Sequence, residues 1–257
     1  MQTEKLCSKK SYSFPSIEKN GSGNTRSGMS LTDFPETISD PEYILRREDY
    51  GIRLANSPRL RNEASALIQR MYSWRGYDTK NAAVYSHNNN WMTFEASSKQ
   101  QLFGTLTLGI DGEDGLLADD LYEKEINIFR TKNRKVCEVS KFAVDSQYGS
   151  KEVFASLFHL AYIYARSIHK ADDAFIEVNP RHAGFYKRML GFRPIGEIRT
   201  CQRVDAPAVL LHLDLDYMDA QISSREDSCK MGKRSLYPYF FSQDEEEGLV
   251  RKLRTAH

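Results

Sequence analysis

The residue best placed to do chemistry is Glu138, in the segment CEVSKFAVD (137–145). Its β-branched and aromatic neighbours predict a strand over 136–144. With a period of two, Glu138 shares a face with Val136, Ser140 and Phe142, so its carboxylate meets apolar walls that raise its pKa toward the range useful to a general base. A bulge in the strand would reverse the face after it and take Phe142 out of that group. The alternative is an exposed strand carboxylate, or a structural ion pair with Lys141 or Arg134. Cys137 beside it fits a buried, inert thiol better than a nucleophile. The four cysteines, at 7, 137, 201 and 229, show no C-x-x-C spacing, and local spacing assembles no metal cluster, no Ser/His/Asp or Cys/His/Asp triad and no P-loop.

A second polar group, Asn179, Arg181 and His182, falls where VNPRHAGFY (178–186) leaves a strand and starts a helix that carries Tyr186. Asparagine before proline is a helix start, so an N-cap, a solvated arginine and a surface histidine are the plain alternatives to ligand contacts. Arg181, Lys187, Arg188 and Arg193 have no acid among them over 180–193, and RTKNRK (130–135) is a further basic cluster. Either is a solvated face or a landing site for an acidic partner. Arg75 sits among aromatics in YSWRGY (72–77), as a pocket cation or stacked on Trp74 or Tyr77.

These residues need elements to position them. GIRLA (51–55) predicts a strand, and Ser57-Pro58 caps a helix running to about Tyr72. WMTFEAS (91–97) and QLFGTLTLGI (101–110) alternate as a hairpin. The acidic run 111–125 is expected as a solvated stretch. Residues 151–169 carry twelve apolar residues in nineteen at helical spacing, a helix covered on most sides. AFIEV (174–178) is a buried strand, the helix from Asn179 ends at Gly191, and 192–202 with 207–216 form a closing pair of strands. A single helical crossover makes strands 136–144 and 174–178 parallel neighbours in a mixed α/β sheet.

The chain has 257 residues, 40% apolar and 28% charged, with a formal charge of +1. That is enough for a large core and excludes a field that draws the whole chain onto nucleic acid or anionic lipid. Neither a secretion-type apolar start nor a run near the ~20 apolar residues of a membrane span is present. With scattered cysteines, this predicts a soluble cytoplasmic protein. Residues 1–40 hold ten apolar residues and are expected as a disordered arm. The catalytic domain is expected over 41–217, and 218–257 as a C-terminal extension whose aromatic run LYPYFF (236–241) packs on it.

CEVSKFAVD, VNPRHAGFY, PAVLLHLDL (207–215) and SLYPYFF (235–241) together resemble the bacterial long-chain N-acyl amino acid synthases, a GNAT-superfamily family similar to acyl-homoserine-lactone synthases. The resemblance implies a GNAT-like twisted mixed sheet flanked by helices, with its two central parallel strands splayed. It implies transfer of a long acyl chain from the phosphopantetheine thioester of acyl carrier protein to the α-amine of an amino acid, by direct attack, without a tightly bound cofactor or metal. Glu138 would be the base and Tyr186 the acid for the departing thiolate. Ser140, Phe142, Val144, Asn179, Arg181 and His182 would hold the pantetheine arm. Lys187, Arg188 and Arg193 would dock the carrier protein, with RTKNRK extending that face. Arg75 would meet the acceptor carboxylate, and Phe103, Leu106, Phe154 and Phe158 would line the acyl slot. The loop DSQYGSK (145–151) has one glycine, too few for the glycine-rich diphosphate cradle of a coenzyme A enzyme, which favours a carrier protein as donor. A lactone synthase, a coenzyme A-dependent acetyltransferase and a silent acyl-carrier-binding module are the alternatives.

Overall fold

The computed structural model describes residues 43–80, 84, 90–99, 101–224 and 235–255. The arm expected at 1–40 lies outside them, as do Cys7 and Cys229. Strands β1 (Tyr43–Arg46), β2 (Gly51–Leu54), β3 (Trp91–Ser98), β4 (Gln101–Ile110) and β5 (Val136–Val144) follow one another as an antiparallel meander. β6 (Asp173–Val178) joins β5 in parallel, and β9 (Ala206–Asp214) runs antiparallel to β6. The short β7 (Arg193–Pro194) and β8 (Arg199–Cys201) both pair with β9, which is the closing pair expected from the sequence. This is a mixed α/β sheet with a single parallel junction at its centre.

Helices cover both faces. α1 (Pro58–Ser73) starts on Ser57, whose Oγ accepts from Leu60 N. Its Ala64, Leu67, Ile68 and Met71 pack over Ala143. On the same face α2 (Asp119–Arg130) sets Tyr122 and Ile126 against Val136, Phe175 and Leu210. The opposite face carries α3 (Lys151–Tyr162), which continues as a π-helical turn over Ile163–Ile168 and buries Leu157 and Leu160 against Leu106, Leu108 and Val139. α4 (Pro180–Leu190) is capped by Asn179 and stopped by Gly191 at φ +88°. Only glycine suits that turn, because a Cβ there would also lie 2.5 Å from the Tyr217 ring.

The C-terminal segment belongs to this core. Leu236, Tyr237, Phe240 and Phe241 are buried, and His159 of α3 stacks between the Phe240 and Phe241 rings at 4.4 and 4.7 Å. Its Nδ1 accepts from Phe241 N at 2.9 Å. Burying each of these large side chains is worth about 1.5–3 kcal/mol. α6 (Gln243–Thr255) follows, with Leu249 and Leu253 inside. The boundary expected at 217–218 falls within a helix, α5 (Leu215–Ser223), which continues directly from β9. Among the described residues no helix is long and apolar enough to cross a membrane.

Two charged clusters sit inside the sheet. Arg53 on β2 donates to Glu95 on β3 at 3.0 Å. Glu95 is fully buried, and burial pushes its carboxyl up to about 7. In the basic cluster at 130–135 the two arginines are held in structural ion pairs, while Lys132 and Lys135 are exposed. Arg130 grips Asp111 and Asp119 at 2.7 and 2.8 Å, and Arg134 closes on the buried Asp173, which also meets His212 at 2.7 Å.

Candidate active site

The parallel junction is short. β5 and β6 pair only through Val136, Cys137 and Glu138 against Asp173, Ala174 and Phe175. Beyond Glu138 the strands part, and a cavity of about 540 Å³ opens between them, reaching from Glu138 and Ser140 to Val178 and His182. The splay expected of the central strands is therefore present.

Glu138 stands where the strands separate. It is 1% exposed, and its Oε2 accepts from Ala118 N at 3.1 Å. Burial pushes its carboxyl up to about 8, with Glu177 adding to the rise and Ala118 N–H and Arg203 opposing it. It is thus a carboxyl whose proton comes off just above neutral pH, in a cavity with apolar walls, so that the ionised form able to act as a base is within reach.

Just past it the β4–β5 register shifts: Thr107 faces Ser140 but Thr105 faces Ala143. Lys141 takes φ +50° at this bulge. Ser140 keeps the Glu138 face, and its buried Oγ has no hydrogen-bond partner among the described residues. Phe142, grouped with them by simple alternation, is turned to the opposite face, against Phe154 and Phe158 of α3 at 5.4 and 5.1 Å. The reason is the inserted residue, which reverses the alternation. Because the cavity passes between the strands, Phe142 and Val144 still line it, as does the Lys141 side chain, whose pKa burial pulls down.

Tyr186 reaches the cavity from α4, largely buried, with its hydroxyl pKa raised chiefly by that burial. Asn179 spends Oδ1 on its cap with Arg181 N, yet the side chain lines the cavity. His182 lines it too, and burial with Arg181 and Arg75 lowers its pKa. Arg181 stands at the rim, donating to the Tyr77 hydroxyl at 2.8 Å. Arg75 lines the cavity, donates to Met71 O at 2.8 Å and lies 5.3 Å from the Trp74 ring. No carboxylate pairs with it among the described residues. Lys187, Arg188 and Arg193 are exposed, outside the cavity.

Of the apolar residues expected around an acyl chain, Phe154 alone lines the cavity. Phe103, Leu106 and Phe158 are core residues. Alternation and helical spacing mark apolar positions without distinguishing a packed face from a lining. Cys137 is buried with its thiol pKa pushed up, as an inert thiol should be.

Tyr72 and Tyr77, the aromatics of YSWRGY, line the cavity beside Arg75, and sequence reasoning missed Glu177 and Arg203, which line it with them. Glu177 carried a signal, being an acid inside an otherwise apolar strand. Arg203 carried none: it sits in the β8–β9 turn and reaches Glu177 Oε2 at 2.9 Å, Asp120 Oδ2 at 2.5 Å and Leu117 O at 2.6 Å. Only the fold brings those four positions together.

A family profile described as N-acyl amino acid synthase FeeM matches residues 63–214. The structure of FeeM, an N-acyl amino acid synthase from uncultured soil microbes, is similar at 30% identity and TM-score 0.60, over 65% of this chain and 92% of that one. The AHL synthase LasI matches at 12% identity and TM-score 0.48, over 65% and 90%. An acyl-CoA N-acyltransferase from Pseudomonas aeruginosa matches at 13% identity and TM-score 0.43, over 64% and 97%. No curated protein matches the chain in sequence.

Proposed function

The chain belongs to the N-acyl amino acid synthase FeeM family and is an acyltransferase, and from that premise we propose that it transfers a long acyl chain from the phosphopantetheine thioester of acyl carrier protein to the α-amine of an amino acid. The observation that carries the mechanism is Glu138, a buried carboxyl with its pKa near 8 where the strands part. The acceptor arrives mostly as an ammonium and must lose a proton before it attacks. Glu138 takes that proton, directly or through water. The amine nitrogen bonds to the thioester carbonyl carbon, the C–S bond breaks, the thiolate leaves with a proton from Tyr186, and the second proton lost by the nitrogen passes to Tyr186 and restores its hydroxyl. Arg75 holds the acceptor carboxylate. Asn179, Arg181 and His182 hold the amides and single phosphodiester of the arm, which runs past Ser140, Phe142 and Val144. The acyl chain lies toward Phe154 and Phe142.

The turn before α3 supports a carrier protein over coenzyme A as donor. Gln147 N–H is taken by the Asp145 side chain, Tyr148 N–H by Asp145 O and Val153 N–H by Ser150 Oγ, and the turn has a single glycine at which bare backbone could approach two phosphates. We place the reaction in a reducing cytoplasm, where Cys137 and Cys201, both free and buried, stay thiols. The deciding experiment incubates the protein with acyl carrier protein or acyl coenzyme A thioesters, each with mixed amino acids, and reads products by mass spectrometry. The expected product is N-acyl amino acid from the carrier-protein donor. No such product from any donor overturns the enzyme reading, and equal turnover with coenzyme A overturns the choice of donor.

Arg181 and Arg188 are two helical turns apart on α4, about 10 Å along one stripe, so a basic track leads from the rim of the cavity, with Lys187 beside it. Reversing Lys187 and Arg188 together to Glu is expected to raise KM for an acidic carrier protein about tenfold at low salt, and by less as salt screens the pair. Steady-state kinetics at two ionic strengths checks this, and an unchanged KM removes the docking face from α4.

A further inference from the structure

Leu117 and Ala118 share one peptide unit, and both of its polar atoms are used. The Leu117 carbonyl accepts from Arg203 Nη1 at 2.6 Å, while the Ala118 N–H donates to Glu138 Oε2 at 3.1 Å. A peptide group is planar, so it cannot turn to lose one bond and keep the other. A cation on the carbonyl also polarises the N–H into a stronger donor, an effect on the order of 10–30% per bond in such chains. The same guanidinium spans Asp120 on α2 and Glu177 on β6, and its turn is tied to the segment after α1 through Asp78 N and Val204 O at 3.0 Å.

We propose that Arg203 is the positioning residue of the general base: acting through the Leu117–Ala118 peptide, and by cancelling the charge of Glu177, it sets the pH at which the enzyme becomes active. This rests on Glu138 being the base of an N-acyl amino acid synthase. Around Glu138, Glu177 comes from β6, Arg203 from the β8–β9 turn, Lys141 from its own strand and the peptide from the start of α2, while Arg75, His182, Tyr72, Tyr77, Tyr186 and the Cys201 thiol line the rest of the cavity. Without Arg203, Glu138 loses a fixed donor and gains an uncompensated anion beside it, and both changes favour its protonated form. Without the charge of Glu177, one repulsion disappears and the ionised form is favoured.

The test is the acid limb of the pH profile of kcat/KM. Arg203→Gln should move the limb up by on the order of one pH unit. Glu177→Gln should move it down, and the double variant should return toward wild type. Titration of the acceptor amine is common to all variants and leaves the differences intact. A merely structural role lowers the rate at every pH and leaves the limb in place. Glu177→Gln is isosteric and still accepts from Arg203, so it carries the test alone if Arg203→Gln does not fold. A limb that does not move down in Glu177→Gln, or does not move up in a folded Arg203→Gln, overturns the proposal. If Glu138→Gln keeps the wild-type rate, the reading of Glu138 fails instead; if that variant is inactive and the limbs stay put, Arg203 alone loses its role.

Discussion

Glutamine at position 138 is expected to lower kcat by about 10²-fold or more and, in the same molecule, to strengthen the fold in alkaline buffer. The carboxyl titrates near 4.5 when unperturbed and is pushed up to about 8 in the folded chain. Between those values the native state binds more protons than the unfolded one. Its contribution to stability is therefore complete below about 4.5 and is lost as pH rises through about 8. Glutamine resembles the protonated carboxyl and has no such slope. The variant and wild type should have similar stability at pH 5, with the variant ahead by on the order of 3 kcal/mol at pH 9. Urea unfolding at the two pH values reads one half of the expectation, and kcat between pH 6 and 9 reads the other. A stability difference that does not change with pH would mean the carboxylate ionises without strain, and near-normal rates across the range would remove Glu138 from catalysis.

Arg53→Met should destabilise the chain by about 3–5 kcal/mol at pH 8.5. Its partner Glu95 is completely buried, and its Oε1 has no hydrogen-bond partner among the described residues. Removing the guanidinium strands that carboxylate in the sheet. The sign with pH is fixed: Glu95 already titrates near 7 with Arg53 holding it down, so its loss raises the value further. At pH 5.5 the carboxyl takes its own proton and much of the cost disappears. Denaturant unfolding at pH 5.5 and 8.5 separates this from a packing defect, which costs the same at both.

The scaffold was legible where each element carried its own signal. Ser57-Pro58 and Asn179-Pro180 gave helix starts, the alternation in 91–110 gave the hairpin, and the apolar spacing of 151–169 gave the central helix. α2 was not, because its start at Ala118 lacks a side-chain cap and its acids resemble a solvated run. Those acids instead hold Arg130 at the far end of the same helix and Arg203 in the β8–β9 turn. α5 was missed although Asp214 caps it, its side chain accepting from Asp216 N, because β9 runs into the helix with no residues between them. At the site, Glu138 and Ser140 were legible because strand alternation is local. The destination of Phe142 was not, because Lys141 adopts a positive φ that its residue type does not announce. Arg203 and the Leu117–Ala118 peptide depend on contacts spanning 86 residues in sequence, which no local pattern encodes.

The three-residue junction between β5 and β6 has a mechanical consequence. The sheet is two plates, β1–β5 and β6 with β9, β7 and β8, stitched by ladder bonds at one end only; at the other, single bonds such as Arg181 to Tyr77 and Asp78 to Val204 span the gap. Within each plate the ladders resist shear, but tilting one plate against the other breaks no ladder bond beyond the stitch. The width of the gap is therefore set by a few side-chain and loop bonds and not by a ladder. Each plate is also one continuous stretch of chain, so substitutions that reshape one wall leave the pairing of the other intact. Substitutions along one wall can thus change the thickness of the molecule admitted without rebuilding the carboxylate at the apex.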